Sequence, residues 1–315
     1  MNKRFASSAL LLTTACFWGI SFVAQVIGAR YMDTSTFNAA RFLLGALALI
    51  PVCLLFERDH PDRKKIVKTI LAAVCGGSVL FLASFLQQYG TGMTANPGKS
   101  GFITGIYTVL TPVFYFLFFR RKTGMQIWIG AVLAVIGLYL LCFDGTAGFA
   151  FGTGELILLA GAVFWAWHII VIDRFVDGVS PFKFACGQFL GCGALNLIAA
   201  FFTGAPSWQA VYQGRWPILF CGILSTGIGF TAQVIGQKLA GDPARSAILL
   251  ATEALFSALG GFVWNLLPIP AGYRVDATMN AYGVAGCAVI FAAIVLSQLP
   301  GKVGHPEQAR VGRNE

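Results

Sequence analysis

The sequence predicts an all-α integral membrane protein with ten transmembrane helices, arranged as two inverted repeats of five helices. Three observations support this fold class. Of the 315 residues, 57% are hydrophobic and only 11% are charged, whereas soluble domains carry about 25% charged residues. Ten apolar segments approach the roughly 20 residues that a bilayer-spanning helix needs. The third observation is an internal repeat with an odd number of segments in each unit.

The ten apolar segments occupy most of the chain and leave no room for a soluble domain. They lie near residues 7–27, 35–56, 67–88, 98–119, 125–143, 154–173, 180–202, 216–237, 245–267 and 278–299. The first follows Lys3 and Arg4 and therefore also resembles a signal peptide. Its apolar run is long for a signal peptide, so an uncleaved first helix is favoured.

Basic residues predict how the chain is oriented in the membrane. One set of gaps and both termini contain Lys3, Arg4, Arg58, Arg63, Lys64, Lys65, Lys68, Arg120, Arg121, Lys122, Arg174, Lys183, Lys238, Arg245, Lys302, Arg310 and Arg313. The opposite gaps contain only Arg30, Lys99, Arg215 and Arg274. Because lysine and arginine are in excess in cytoplasmic loops, both termini are predicted to be cytoplasmic, in a multi-pass protein of the cell membrane. The net charge of +9 is thus a topology signal, and nucleic acid is not expected as a partner.

The chain repeats itself. Residues 75–100 and 221–246 align without a gap, from a Cys-Gly pair at their start to a proline, a basic residue and a serine at their end. A shift of one residue in the offset aligns FWGIS (17–21) with FWAWH (164–168). Five helices per repeat send the second repeat into the membrane from the other side. Inverted repeats of this kind are typical of secondary transporters, whose sites lie near the bilayer midplane between the halves.

The repeats define the expected domains. The first five-helix repeat is assigned to residues 13–143 and the second to 154–299. A cytoplasmic N-terminus and the start of the first helix occupy 1–12, and a cytoplasmic tail occupies 300–315.

Five motifs in fixed order span both repeats. They are FWGISF (17–22), ARF (40–42), ITGIYTVLTPVFYFLF (103–118), WIGAVLAVIGLYLL (128–141) and TEALFSALGG (252–261). Together they resemble the EamA-type transporters of the drug/metabolite transporter superfamily. The resemblance implies a central cavity lined by helices 1–4 and 6–9, with helices 5 and 10 peripheral. It also implies transport, commonly outward, of small organic metabolites including amino acids.

Glu253 is a carboxylate inside an apolar segment. At about 1.5 Å per residue it lies roughly 12 Å deep, near the midplane, and its counterpart in the repeat is Tyr107. A charge at this depth is costly, so the side chain should face protein or water. Two interpretations remain open. Glu253 binds a substrate amine or a proton, or it pairs with Arg41 or caps a polar network that holds the halves together.

Arg41 is the other charge inside a predicted span, and Asn38 lies one turn away on the same face. A guanidinium suits a carboxylate, so Arg41 and Glu253 are candidates to hold a zwitterion between them. The alternative is that Arg41 extends to the outer interface, as long basic side chains near helix ends do.

Further polar and aromatic residues are candidates for lining the cavity. They are Trp18, Ser21, Gln25, Gln87, Trp165, His168 and Gln233. The two tryptophans form aromatic walls or simply pack, and His168 accepts a proton or makes a hydrogen bond in the packed interior. Gln87 and Gln233 are expected near opposite ends of the cavity.

The function expected is secondary transport by alternating access, with export of amino-acid-like or other small polar or amphipathic compounds. Protons are considered as the coupling ion and a homodimer as the assembly. The alternative is an uncoupled facilitator or channel of the same fold. The sequence has no Walker motif, no metal-binding signature and no convergent nucleophile–base set. ATP hydrolysis by this chain, a cofactor, a metal and enzyme activity are therefore not expected.

Overall fold

A computed structural model describes residues 3–57, 62–120, 124–143, 152–204, 207–277 and 281–298, which form a helical bundle without strands. The α-helices are α1 (Lys3–Gly28), α2 (Thr34–Phe56), α3 (Arg63–Thr94), α4 (Pro97–Thr104), α5 (Tyr107–Phe119), α6 (Met125–Cys142), α7 (Thr153–Phe175), α8 (Pro181–Gly204), α9 (Trp208–Gln213), α10 (Arg215–Leu219), α11 (Thr231–Ala240), α12 (Pro243–Leu250), α13 (Glu253–Leu266) and α14 (Ala281–Gln298). A π-helical segment (Phe220–Phe230) joins α10 to α11, and a short 3₁₀ turn (Ala271–Tyr273) follows α13.

Within the described residues, eight helical spans are long and apolar enough to cross a membrane. They are Lys3–Gly28, Thr34–Leu55, Arg63–Thr94, Pro97–Phe119, Thr153–Phe175, Pro181–Thr203, Arg215–Ala240 and Pro243–Leu266. The predicted fifth and tenth segments form α6 and α14, whose apolar runs, Met125–Gly137 and Val284–Ala293, are shorter. The helical membrane fold is therefore confirmed, while the count of ten spans stays a prediction.

Contacts among the helices place α1 and α7 in the interior of the bundle. The α1 helix packs against α11, α13 and the π segment, and α7 packs against α3, α4 and α5. The α2 helix packs on α8, and α6 and α14 pack mainly on each other. Each interior helix thus brings its polar positions next to several neighbours.

The bundle has two ends, named here the basic end, where α1 begins, and the opposite end, where α1 finishes. At the basic end Ser7 Oγ donates to the Gly236 carbonyl over 2.9 Å. At the opposite end Arg30 Nη2 donates to the Arg274 carbonyl over 2.7 Å, and Asn96 Nδ2 lies 3.3 Å from the carboxylate of Asp276 in the same loop. The start of α7 lies at the opposite end as well, because Glu155 forms an ion pair with Lys99, just after Asn96. The α7 helix therefore begins at the end where α1 finishes.

Two spans that the sequence predicts as continuous helices are interrupted. The α4 helix ends at Thr104 and α5 begins at Tyr107, and in the second half α12 ends at Leu250 and α13 begins at Glu253. Glu253 therefore starts a helix instead of lying in the middle of one. Amides bond to carbonyls three residues back at both breaks, over 3.0–3.3 Å, which is 3₁₀ geometry and often marks a hinge when it occurs inside a helix. The breaks fall at positions that the repeat alignment equates.

The Pro-basic-Ser motif of each repeat forms a tight turn into the interrupted span. Asn96 and Asp242 cap the following helices by accepting from the amide three residues on, over 2.9 and 3.1 Å, and each is followed by proline at the first helical position. The residue before each cap, Ala95 or Gly241, has a left-handed backbone with φ of 53° or 62°. Asn or Asp at the cap and proline next to it are the residues that this turn favours.

The eighth predicted segment also departs from a regular α-helix. Residues Phe220–Phe230 form a π-helix of 11 residues, in which each turn holds one residue more than in an α-helix. The aligned part of the first half lies inside α3 and is regular. Side chains beyond the π segment therefore face directions that a 3.6-residue period does not predict.

Candidate functional site

A small polar chamber lies between the halves, beside the break that precedes α13. It is lined by Trp18, Ser21, Gln25, Arg41, Gln87, Trp165, Ser225, Phe230 and Glu253, which come from α1, α2, α3, α7, the π segment and α13. Its volume is about 10 Å³, close to the ~10–15 Å³ that one water requires. The structure therefore holds the chamber closed to organic molecules.

The backbone brings α13 close to the chamber because α1 carries a glycine at the contact. A Cβ at Gly19 would lie 2.4 Å from both the Glu253 carbonyl oxygen and Phe256 Cβ, far inside van der Waals distance. Gly19, from the FWGISF motif, thus allows the first turn of α13 to rest directly on α1, one residue after Trp18.

Arg41 is 2% exposed and lines the chamber, so its side chain does not extend to the membrane interface. Its Nε donates to Asn38 Oδ1 over 2.9 Å, and Asn38 Nδ2 donates in turn to the Ser84 carbonyl over 3.1 Å. The guanidinium carbon lies 4.7 Å from the centre of the Phe42 ring. Arg41 Nη2 has no hydrogen-bond partner in the protein. Asn38 therefore positions Arg41 without lining the chamber itself.

Glu253 is 3% exposed, and its Oε1 has no hydrogen-bond partner in the protein. The Tyr107 hydroxyl lies beside the Glu253 carboxyl, although no hydrogen bond of normal geometry joins the two among the described residues. No ion pair joins Glu253 to Arg41 among the side chains that the structure describes. The chamber therefore holds one basic and one acidic side chain, each with an atom that makes no hydrogen bond of normal geometry among the described residues.

A chain of three polar side chains forms one side of the chamber. Gln87 Nε2 donates to Gln25 Oε1 over 3.1 Å, and Gln25 Nε2 donates to Ser21 Oγ over 3.1 Å. Ser21 Oγ donates to the Trp18 carbonyl over 2.7 Å. This chain links α1 to α3 and satisfies its members internally, in contrast to the two charges.

Aromatic rings form another side. Trp18 lies 5.6 Å from Trp165 and 4.5 Å from Phe230, measured between ring centres. Trp18 Nε1 donates to the Ser225 carbonyl over 3.3 Å, while Trp165 Nε1 has no hydrogen-bond partner. The two tryptophans both pack against each other and line the chamber, so the two interpretations of the pair are not exclusive.

Besides Asn38 and Tyr107, two further predicted residues lie outside the lining. His168 Nε2 shares a 2.9 Å hydrogen bond with Gln188 Oε1 and packs 5.7 Å from Trp165, the geometry of a hydrogen-bonded packing role. Gln233 is fully buried in α11, and both polar atoms of its side chain lack partners. Gln233 follows the π segment, whose counterpart in the first half is a regular α-helix, and it does not line the chamber as its repeat equivalent Gln87 does.

Ser225 and Phe230 line the chamber although sequence reasoning did not select them. Both lie in the π segment. A serine and a phenylalanine in an apolar helix carry no distinctive signal, and the direction each faces depends on the π geometry. Only a prediction of that geometry could have identified them.

Several contacts near the chamber join residues that the repeat alignment equates. Trp18 meets Trp165, Phe42 lies 6.4 Å from Phe189, and Tyr107 neighbours Glu253. Residues near a two-fold axis contact their own equivalents in this way. The contacts are those expected if a two-fold axis relates the halves and passes beside the chamber.

The chamber is separated from both ends of the bundle. Towards the opposite end the Lys99–Glu155 ion pair joins α4 to α7, and Ser257 Oγ donates to the Pro97 carbonyl over 2.5 Å.

Towards the basic end Thr14 Oγ1 donates to the Gly229 carbonyl over 2.9 Å, and Tyr115 donates to Asp173 over 2.5 Å. A weaker contact, 3.9 Å, joins Lys183 to Glu57. Contacts between the two halves therefore lie on both sides of the chamber.

The fold and the site together define a multi-pass membrane protein with a closed polar chamber between two helical halves. The EamA-like transporter family matches residues 6–143 and 152–299. The chain belongs to this family. It is a membrane transporter of small molecules and not an enzyme.

Similar proteins support this assignment. An uncharacterized transporter of Archaeoglobus fulgidus is 26% identical over 82% of this chain and 77% of its own length. The uncharacterized transporter YwfM of Bacillus subtilis is 22% identical over 91% and 94%. The WAT1-related protein At1g68170 of Arabidopsis thaliana is 21% identical over 92% and 71%. A solved crystal structure, described only as that of a protein, superposes with a TM-score of 0.73 at 20% identity and covers 94% of this chain and 97% of its own. The last similarity concerns the fold alone.

Proposed function

We propose that this protein is a secondary transporter that works by alternating access and exports small zwitterionic metabolites, such as amino acids. The observation that carries the proposal is the pair of buried charges, Arg41 and Glu253, in one closed chamber. Arg41 is placed to bind a carboxylate and Glu253 an amine. The closed chamber corresponds to the intermediate of the transport cycle, between the state open to one side of the membrane and the state open to the other.

The unpaired atoms favour binding over a purely structural role. A buried polar group without a hydrogen bond destabilises a fold by about 1–3 kcal/mol, and more if it is charged. A structural pair would satisfy both partners, as buried charges in proteins normally do. Arg41 Nη2 and Glu253 Oε1 lack partners, which is the arrangement expected of groups that await a ligand.

The helix breaks supply a mechanism for opening. Tyr107 and Glu253 begin the second parts of two interrupted spans, and short 3₁₀ connections absorb changes of backbone angle. In an inverted repeat the halves exchange conformations, so that the chamber opens first to one side and then to the other. Glu253 moves with α13 and thus links substrate binding to that exchange.

Protons are proposed as the coupling ion. Glu253 is the carboxylic acid among the lining residues that the structure describes, and a carboxyl group binds substrate amine or a proton but not both. Competition of this kind couples inward proton movement to outward substrate movement. Protonation also removes the charge that is costly in the membrane interior.

The alternative function is an uncoupled facilitator or channel, and counterflow distinguishes the two. Proteoliposomes that contain the full chain are loaded with unlabelled alanine, glutamate or lysine and given the same labelled amino acid outside. A carrier accumulates label transiently above equilibrium, whereas a channel does not. We expect counterflow with alanine, stimulation of net flux by a proton gradient, and weak flux of lysine. Flux without counterflow would establish the channel.

The protein is further proposed to lie in the cell membrane with both termini in the cytoplasm, and to form homodimers. In a background without native cysteines, Arg63→Cys should react only with reagents that enter the cell, and Lys99→Cys with reagents that do not. The reverse pattern would overturn the orientation. Chemical crosslinking in membranes, followed by light scattering of the purified protein, tests the dimer.

A further inference from the structure

A groove on the flank of the bundle is separate from the chamber. Its volume is about 750 Å³, within the ~300–1,000 Å³ of small-molecule sites. Ile20 and Ile27 of α1 form its floor, Ile223 of the π segment and Trp264 of α13 form its walls, and Tyr273 closes it at the opposite end of the bundle. Its lining is almost entirely apolar.

The groove is open to the side of the bundle, where the lipid is. Ile20, Ile223 and Trp216 along it are 37%, 41% and 64% exposed. In helices that span a bilayer, apolar side chains with this exposure face acyl chains. A molecule that fills the groove therefore reaches it from within the membrane.

The rim at the opposite end is basic. The Arg215 guanidinium carbon lies 5.6 Å from the centre of the Trp216 ring, and Trp216 lines the groove. Arg274 follows the groove residue Tyr273 and is exposed. Arg30, one turn beyond Ile27, holds this loop by donating to the carbonyls of Gly272 and Arg274 over 2.6 and 2.7 Å.

The nearby acids are engaged elsewhere. Asp33 accepts from the Thr36 amide over 3.0 Å at the start of α2, and Asp276 accepts from Asn96 over 3.3 Å. The basic gaps of the sequence lie on the other side of the membrane, yet three of the four basic residues predicted for this side, Arg30, Arg215 and Arg274, cluster here. Because these three arginines outnumber the two carboxylates, the rim has a net positive charge and attracts anions.

We propose that the groove binds an anionic phospholipid, with an acyl chain along α1 and the phosphate at Arg215 and Arg274. An apolar channel that ends in arginines and interfacial aromatic rings matches an amphiphile with a negative headgroup. An apolar solute would use the groove but not its rim, and a soluble anion would use the rim but not the groove. The bound lipid would wedge between α1 and the π segment, the two elements that carry Trp18 and Ser225 into the chamber.

At the equivalent place a tryptophan of the second half occupies the space. The alignment of 17–21 with 164–168 equates Ile20 with Trp167. Trp167 packs against Phe114 and Phe118, at 5.4 and 5.2 Å between ring centres. A tryptophan at position 20 should therefore fill the groove as Trp167 fills its own site.

The test uses full-length protein reconstituted with phosphatidylglycerol that carries a photoreactive group in one acyl chain. Labelled residues are mapped by peptide mass spectrometry. We expect labelling of 20–27, reached through the groove, and competition by unlabelled phosphatidylglycerol that is at least about fivefold stronger than by phosphatidylcholine, since each basic residue near the surface contributes roughly this factor.

Two pairs of variants locate the site. Ile20→Trp should abolish labelling of 20–27, while Leu47→Trp, on the exposed face of α2, should not. Arg215→Gln should reduce the preference for phosphatidylglycerol roughly fivefold, while Arg63→Gln at the basic end should leave it unchanged. Gel filtration shows whether each variant is folded. If Ile20→Trp does not fold, Arg215→Gln still tests the rim.

Three results would overturn the proposal. Equal competition by phosphatidylglycerol, phosphatidylcholine and diacylglycerol would mean that no headgroup is recognised. Unchanged labelling in folded Ile20→Trp would place the lipid elsewhere. Displacement by the apolar dye Nile red but not by phosphatidylglycerol would assign the groove to apolar solutes. None of these results depends on transport activity, so the proposed function stands or falls separately.

Discussion

At the break between α4 and α5 the first half places Tyr107, and at the equivalent break between α12 and α13 the second half places Glu253. The alignment of 17–21 with 164–168 equates Arg41 with Gln188 in the same way. Arg41 lines the chamber, whereas Gln188 hydrogen-bonds His168 over 2.9 Å. Each half thus supplies one charge, of opposite sign, and a neutral residue at the place of the other.

The comparison separates what the fold needs from what the site needs. Both halves have the capped turn, the helix break and the central tryptophan, so these features belong to the shared architecture. The charges are not repeated, as expected if they serve the proposed binding site and not the shared architecture. Four paired substitutions test that division, from the largest expected effect to the smallest.

Glu253→Gln should lower gradient-driven transport in proteoliposomes roughly 100-fold, because it removes an ionic contact worth about 1.5–3 kcal/mol and the proton site. Tyr107→Phe removes a neutral hydroxyl and should cost less than about tenfold. If Glu253 carries the proton, Glu253→Gln should reduce counterflow without a gradient less than it reduces net flux driven by the proton gradient. Equal losses in the two variants would refute the division of roles at the breaks.

Arg41→Gln should raise the KM for a zwitterionic substrate roughly 30-fold, again from a lost charged hydrogen bond. Arg41→Lys should recover only part of the affinity, since lysine lacks the planar fork that binds a carboxylate. Gln188→Ala should leave KM unchanged and lower Tm, because His168 Nε2 loses its partner at about 1–3 kcal/mol. A KM effect from Gln188→Ala would show that both equivalents serve the site.

The two ends of the bundle have ion pairs of different length, because Lys99 contacts Glu155 closely and the Lys183–Glu57 contact is longer. Partly exposed ion pairs contribute up to about 1 kcal/mol, so Lys99→Ala should raise labelling of a Ser21→Cys reporter from the opposite end about two- to fivefold. Lys183→Ala should change labelling from the basic end less. A larger effect from Lys183→Ala would reverse the order of the two closures.

The smallest difference between the halves is expected at the residue before each capped turn, where the backbone is in the left-handed region. Ala95→Gly should raise the free energy of unfolding and Gly241→Ala should lower it, each by about 1 kcal/mol, the cost of a left-handed backbone for a residue with a Cβ. Tm should shift in the same directions. A Cβ at Gly241 meets nothing within 4 Å, so the effect there reports the backbone alone. Thermal unfolding in detergent measures both. A stabilising Gly241→Ala would mean that the turn relaxes to another conformation.

Much of the chamber could be predicted from polar residues in apolar segments. Lipid offers no hydrogen-bond partner to a polar side chain, so polar residues in apolar segments are expected to face the interior. Five such residues line the chamber: Ser21, Gln25, Arg41, Gln87 and Glu253.

The orientation of residues beyond a backbone irregularity could not be predicted. Gln233 follows the π segment and Tyr107 follows a 3₁₀ break, and neither irregularity contains a proline. Periodicity assumes a constant helix and fails at such places.

The sequence by itself determined that the protein lies in lipid, which segments form helices and that the chain contains a repeat. The lengths of apolar segments and the matches between motifs depend only on the order of residues. The tertiary structure decided which charges remain unpaired, where the helices break and which flank stays open. These features depend on how distant helices pack, since a hydrogen bond is satisfied or left open only when both partners are in place.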